Sequence, residues 1–194
     1  MSNHRCAGIG LSVILALAVL AGCSISTRKD SATGKEKDVD IRTPLGSVSV
    51  HKDSSDAKET GLSLYPGAQL KKDPDDHEGS ANVNISSPLF GIKVVAVKYQ
   101  SDDSPEKVLA FYKKDMARYG NVVTCTGGFD MSFHHHDRDM EVTCDSRGDS
   151  DHRYQEELKV GTEKNQRVVA IKPNGNGSEF ALVYVRAGDE KTTM

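Results

Sequence analysis

The chain contains no tryptophan and only 6% aromatic residues, so large rings cannot fill most of a core, which must rely on valine, leucine and isoleucine. β-Branched residues pack well on pleated surfaces, which favours strands over bundled helices. Charge of one sign is also lacking: 25 Lys and Arg stand against 28 Asp and Glu, a net of −3. Without a basic patch or a high isoelectric point, nucleic acid is not an expected partner. No Gly-x-Ser-x-Gly occurs, which removes the usual hydrolase elbow. A phosphate cradle is missing too, because Asn174-Gly175-Asn176-Gly177 lies between two expected strands and opens no helix. The longest apolar stretch, Ala7 to Gly22, has 16 residues, short of the roughly 20 that span a bilayer.

That stretch is nevertheless the most informative part of the chain. Arg5 precedes a hydrophobic run from Ile9 to Leu20, and Leu20-Ala21-Gly22-Cys23 closes it with two small residues and a thiol. This layout resembles the lipobox of bacterial prolipoproteins. The resemblance implies a signal peptide over 1–22, cleavage before Cys23, diacylglycerol on its sulfur and acylation of the new α-amine. An uncleaved span or an ordinary secretory signal is the alternative. Because Ser24 rather than Asp follows the cysteine, the same resemblance implies the outer membrane, facing the periplasm. The implied partners are the membrane, through the lipid on Cys23, and an envelope protein.

Cleavage would remove only Arg5 among the charges, leaving a balance of about −4. It would also remove Cys6, so Cys125 and Cys144 are the cysteines left over once Cys23 carries lipid. In an oxidising compartment such a pair is expected to form a disulfide. Val122–Thr126 and Glu141–Cys144 read as short strands, and a hairpin between them would bring the α-carbons into range. Two separately buried thiols are the alternative.

Ser24 to Asp40 is Ser, Thr, Lys, Asp and Gly with few apolar residues, and is expected to be a flexible tether. A short hairpin is expected over 41–50, and His51 to Thr60 reads as a second linker. The main domain is expected over 61–188, with a tail over 189–194. Tyr65-Pro66-Gly67-Ala68 opens it with a turn. Ala81–Ser87 and Ile92–Gln100 form a hairpin, whose second arm is apolar on both faces and so belongs inside a sheet. Ser104-Pro105-Glu106 begins a helix that Gly120 ends, with Ser104 as its cap and Pro105 at the first helical position, and Asp102-Asp103 is also expected to serve in capping. Within it Val108, Leu109, Tyr112, Met116 and Tyr119 form one apolar stripe, expected to be core packing. Glu157–Gly161, Arg167–Lys172 and Glu179–Arg186 are the final strands, with short strands also expected over Asn121–Thr126 and Met140–Cys144. The predicted fold is α+β: an antiparallel sheet of about six to eight strands with one main amphipathic helix over 104–119. The Tyr65-Pro66-Gly67-Ala68 opening and the Ser104 to Lys114 helix resemble small bacterial exported domains to which the resemblance attaches no activity.

One stretch invites a site. If His134-His135-His136 is extended, His134 and His136 share a face, and Asp130, Glu141 or His152 is placed to complete a Zn or Cu shell. The bland reading is a solvated loop, since Phe129 to Asp151 is dominated by polar and acidic residues. No nucleophile and base are paired by any motif. Two functions therefore stand: a noncatalytic, lipid-anchored interaction or envelope-structural module without a cofactor, and, as its alternative, a lipoprotein that captures a transition metal through the His134–His136 loop.

Overall fold

Alternation along the last strand organises the whole sheet. Phe180 and Leu182 point to one face and Ala181, Val183 and Val185 to the other, and all five are buried. A strand apolar on both sides must be flanked on both edges and covered above and below. The computed structural model describes residues 23–29, 36–52, 56–71, 79–87, 90–126, 139–144 and 155–188. Its elements are β1 (Ser24–Lys29), β2 (Glu36–Thr43), β3 (Gly46–Lys52), α1 (Ala57–Thr60), β4 (Gln69–Leu70), β5 (Ser80–Ser86), β6 (Gly91–Ser101), α2 (Pro105–Met116), β7 (Val123–Thr126), β8 (Glu156–Thr162), β9 (Asn165–Asn174) and β10 (Gly177–Gly188). The strands form one sheet in the order β1-β2-β3-β5-β6-β10-β9-β8-β7, with the two residues of β4 also paired to β6. Every pairing is antiparallel. β6 and β10 run side by side for 11 register pairs, from Ser178 opposite Ser101 to Gly188 opposite Gly91.

The protein is mainly β, with ten strands among the described residues rather than six to eight. The additional strands come from segments expected to be unstructured. Residues 24–29 and 36–43 are paired strands, not a free tether: Ile25 sits opposite Ile41, and Thr27 opposite Val39. The expected hairpin over 41–50 is present as the β2–β3 turn, and β3 joins the rest of the sheet through β5. A strand at a sheet edge satisfies its backbone by pairing and needs little buried side chain, which is why composition misread this region. The expected linker over 51–60 likewise contains the end of β3 and α1. Asp56 caps that helix by accepting a bond from the Lys58 amide at 2.7 Å.

The helix over 104–119 is present as α2 followed by a 3₁₀ turn over Ala117–Tyr119. Val108, Tyr112 and Met116 are fully buried, with Leu109 and Tyr119 partly so. The stripe packs on the face of the sheet that carries Val95, Val97, Tyr99, Leu158, Val160, Val169, Ile171, Phe180 and Leu182. Its centre is aromatic, although the chain has few rings. Tyr65 meets Phe111 edge-on at 5.1 Å, Tyr112 lies 5.6 Å from Phe180, and Tyr99 stacks on Phe180 at 5.8 Å. Such pairs add roughly 0.5–1.5 kcal/mol each beyond the area they bury. Burial also drives the Tyr112 phenol well above its ordinary pKa. On the opposite face Val168, Ala181, Val183 and Val185 form a second apolar cluster, flanked by Val94 and Ala96. That face also holds a buried ion pair, Lys159 Nζ to Glu157 Oε2 at 3.4 Å.

Capping differs from expectation at α2. Ser104 holds the extended N-cap conformation, yet its hydroxyl makes no cap bond. Asp103 does not cap the helix through its carboxylate; it accepts from Tyr65 Oη at 2.9 Å and from Lys107 Nζ at 2.8 Å. These two donors, Lys107 first, hold its carboxyl below the usual range, while burial and the bond to Asp103 raise the Tyr65 phenol. A depressed carboxyl contributes stability above its unfolded pKa and loses it as pH falls through the folded value. Asp103→Asn is therefore expected to lower the thermal midpoint slightly at neutral pH, and the gap to the parent should close below about pH 4. Melting curves across pH 2–8 check this; a gap independent of pH would contradict it.

Gly61 ties the segment before β4 to the far side of α2. Its φ is 77°, and a β-carbon there would sit 2.9 Å from Tyr119 Oη and 3.1 Å from Arg167 Nε. Its carbonyl accepts from Arg118 Nη2 at 2.7 Å and from Tyr119 Oη. Arg167 lies 3.7 Å over the Tyr119 ring and donates to the Thr60 carbonyl. Asp115 accepts both the Ser63 amide and hydroxyl, at 2.9 and 2.8 Å. Left-handed backbone and close packing together require glycine at this position.

Candidate functional site

Cys23 is exposed, carries a free thiol and immediately precedes β1. Ser24 is already paired with Arg42, so no slack separates the cysteine from the sheet. Cys125 and Cys144 form a disulfide with their α-carbons 5.5 Å apart. The geometry that joins them is not the expected hairpin. β7 pairs with β8 from Val123 opposite Lys159 to Thr126 opposite Glu156. Residues 141–144 form no strand; they touch the same edge of β8 further along, where Glu141 bridges Thr162 and the Val142 amide donates to the Gly161 carbonyl. Both cysteine segments therefore lie along one strand, and the bridge fastens them to each other. Asp139 completes the attachment by accepting from Thr162 Oγ1 at 2.8 Å and from the Lys164 amide at 3.0 Å.

His134, His136 and His152 lie outside the described residues, as do His135 and Asp130. Glu141 is described, and it sits at the β8 bridge. Among the described residues, no group of three or more His, Cys, Asp and Glu side chains is placed to hold a metal ion.

The described residues do enclose a polar cleft of about 350 Å³. It lies where β6 ends, β4 passes and the β9–β10 turn folds over. Gln69, Gln100, Ser101, Asp102, Asn174 and Asn176 supply the side chains, with Gly67 and Gly177 as bare backbone. Gly177 has to be glycine, because a β-carbon would come within 2.2 Å of the Ser101 carbonyl. Four carboxamides offer donors and acceptors in equal measure. Asp102 is the single charged side chain in the lining. The Ser101 hydroxyl oxygen accepts from the Asp103 amide at 3.2 Å, so it is engaged in the turn. Beside the cleft, Glu179 sits opposite both Gln100 and Lys172, and it pairs with Lys71 and with Lys172, the latter at 3.2 Å. Those two ammonium groups offset its charge. The site is thus equipped to hydrogen-bond uncharged polar groups, with one carboxylate able to accept from paired hydroxyls.

Sequence reasoning read Gly67 and Asn174 to Gly177 as turn residues and passed over Gln69 and Gln100. No local signal marks them as a site, because the register of β6 against β4 and β10 is what brings positions 67 to 177 together. Comparison with known protein families, with curated proteins and with solved structures found no match to this chain.

Proposed function

We propose that this chain is a bacterial lipoprotein of the outer membrane, anchored through Cys23 and acting as a noncatalytic interaction module on the periplasmic side. The observation that carries the interaction reading is the carboxamide cleft at the end of β6 remote from Cys23. β6 is 11 residues long, so at 3.3 Å per residue its two ends are roughly 35 Å apart. A domain anchored at one end presents the other to the periplasm. Four carboxamides and one carboxylate suit a ligand rich in hydroxyl and amide groups, the chemistry of an N-acetylated glycan. The Leu20-Ala21-Gly22-Cys23 motif supports the anchor, and the exposure of Cys23 is compatible with acylation.

Cys23→Ser is expected to abolish incorporation of a tagged fatty acid and to leave the precursor uncleaved, since no other cysteine follows a small-residue pair. Label that persists on the serine variant would sink the lipoprotein reading, and recovery of the parent only in inner-membrane fractions would contradict the outer-membrane assignment. The cleft has its own test. Asn174→Ala combined with Asn176→Ala is expected to weaken co-sedimentation with purified cell-wall glycan about tenfold, as loss of two hydrogen bonds of roughly 0.5–1.5 kcal/mol each implies. Equal retention of parent and double variant would remove the cleft from the interaction.

A further inference from the structure

The strand register gathers several separate features at the end of the sheet where β1 begins. Ser24 pairs with Arg42, Ser47 with Ser86 and Ser86 with Gly91. The start of β1, the β2–β3 turn and the β5–β6 turn are therefore neighbours. Contact between the two turns is close: a β-carbon on Gly46 would lie 2.4 Å from the Ser86 carbonyl and 3.2 Å from the Ser87 α-carbon. Three of the six exposed large hydrophobics among the described residues lie at this end, the others being Leu64, Leu70 and Met140. Among the described residues the two most exposed large hydrophobics are Leu45 at 79% and Ile25 at 72%, and Phe90 at 47% sits in the adjoining turn. Exposed Arg42 stands directly across from Ser24.

Single exposed apolar side chains are common on any surface, but a group of them at one sheet end, rimmed by polar residues, marks an interaction surface. The partner is set by Cys23. Its α-carbon is one virtual bond of about 3.8 Å from that of Ser24, and Ser24 is held in the sheet. Whatever surface the acyl chains enter, this end of the sheet cannot stand off from it. The geometry points to a membrane-contacting surface formed by Leu45, Phe90 and Ile25 along the sheet end that Cys23 begins, which inserts into the headgroup region and holds the sheet end-on to the bilayer. This rests on the lipoprotein reading for the identity of the surface, but the apolar cluster is observed independently. Loop-tip insertion adds burial to the anchor, and Arg42 suits anionic headgroups. The polar cleft is then presented away from the membrane instead of being left to tumble on a leash.

The chain's lack of tryptophan makes the test clean. Leu45→Trp, Phe90→Trp and, as a control near the other end of β6, Lys58→Trp each give a single tryptophan, excited at wavelengths the six tyrosines do not absorb. Beside Lys58 the Ala57 amide of α1 donates to the Tyr99 hydroxyl oxygen at 3.1 Å, which fixes the control at that end. Each lipidated protein is reconstituted in vesicles of phosphatidylethanolamine and phosphatidylglycerol, with and without brominated acyl chains. Emission from the tryptophans at positions 45 and 90 is expected to shift to the blue and to lose most of its intensity to bromine, and emission from position 58 to do neither. Thermal melts of the three variants verify that each folds as the parent does. Lipidated protein whose tryptophans at 45 and 90 stay unquenched would overturn the surface while leaving the lipoprotein reading intact. Mass analysis showing no lipid on Cys23 would overturn that reading alone, provided positions 45 and 90 of the unlipidated protein are still quenched on the same vesicles.

Discussion

Phe180→Ala is expected to destabilise the domain by about 3–5 kcal/mol, the usual cost of truncating a buried ring. Phe180 is fully buried and its ring contacts those of Tyr65, Tyr99 and Tyr112, at 6.2, 5.8 and 5.6 Å. It lies on β10, the strand flanked by β6 and β9, directly under α2. Removing it opens a cavity at the place where helix and sheet meet, and the surrounding rings are too rigid to collapse into it. For a chain of this size each kcal/mol moves the thermal midpoint by about 2–4 °C, so a fall on the order of 10 °C should appear by calorimetry. Natural domains hold only about 5–15 kcal/mol in total, and the variant should therefore approach partial unfolding at 37 °C. A loss below about 1 kcal/mol would show that the aromatic cluster is not the centre of the core.

Replacing both Cys125 and Cys144 by serine is expected to cost about 2–4 kcal/mol. The bridge closes a loop across a sequence separation of 19, whose freedom in the unfolded chain it removes. It also holds residues 141–144 against β8, where the Glu141–Thr162 bridge, the Val142 amide on Gly161 and two bonds accepted by Asp139 help fasten them. The expected loss is therefore larger in local protection than in the core: amide exchange at Val142 and along β7 should accelerate more than exchange along β10. Denaturant titration of the oxidised and double-serine proteins measures the global term. Equal midpoints would show that the bridge contributes no net stability, and two titratable thiols in freshly isolated protein would show that the pair is not bridged in the cell.

The parts of this fold that were legible in the sequence are those where a local period and a burial pattern agree. The α2 stripe was readable because residues three and four apart must share a helix face, and β6 and β10 because alternation with apolar residues on both faces leaves an interior position as the only solution. The cysteine pairing followed from counting: Cys125 and Cys144 were the pair left over once Cys6 and Cys23 were set aside. Ser104 is the N-cap residue of α2, as its local sequence predicts, but Asp103, which suits capping equally well locally, does not serve in it. Tyr65, 38 residues away, claims Asp103 instead.

What only the tertiary structure decided is whatever depends on pairing between distant segments. β1 and the first half of β2 look like tether in composition because strands near a sheet edge are stabilised largely by backbone bonds to their neighbours, and those bonds carry no residue signature. The cleft is undetectable by motif, since its carboxamides are ordinary turn and strand-end residues until the β4–β6 and β6–β10 registers bring them to one point. The apolar turn tips near Cys23 have the same origin. Leu45 and Phe90 are 45 residues apart with no pattern that relates them, and they become neighbours only because β3 pairs with β5. Sequence by itself determined the helix and the inner strands, through local periodicity and burial pattern; register, which is non-local, determined which turns and strand ends meet.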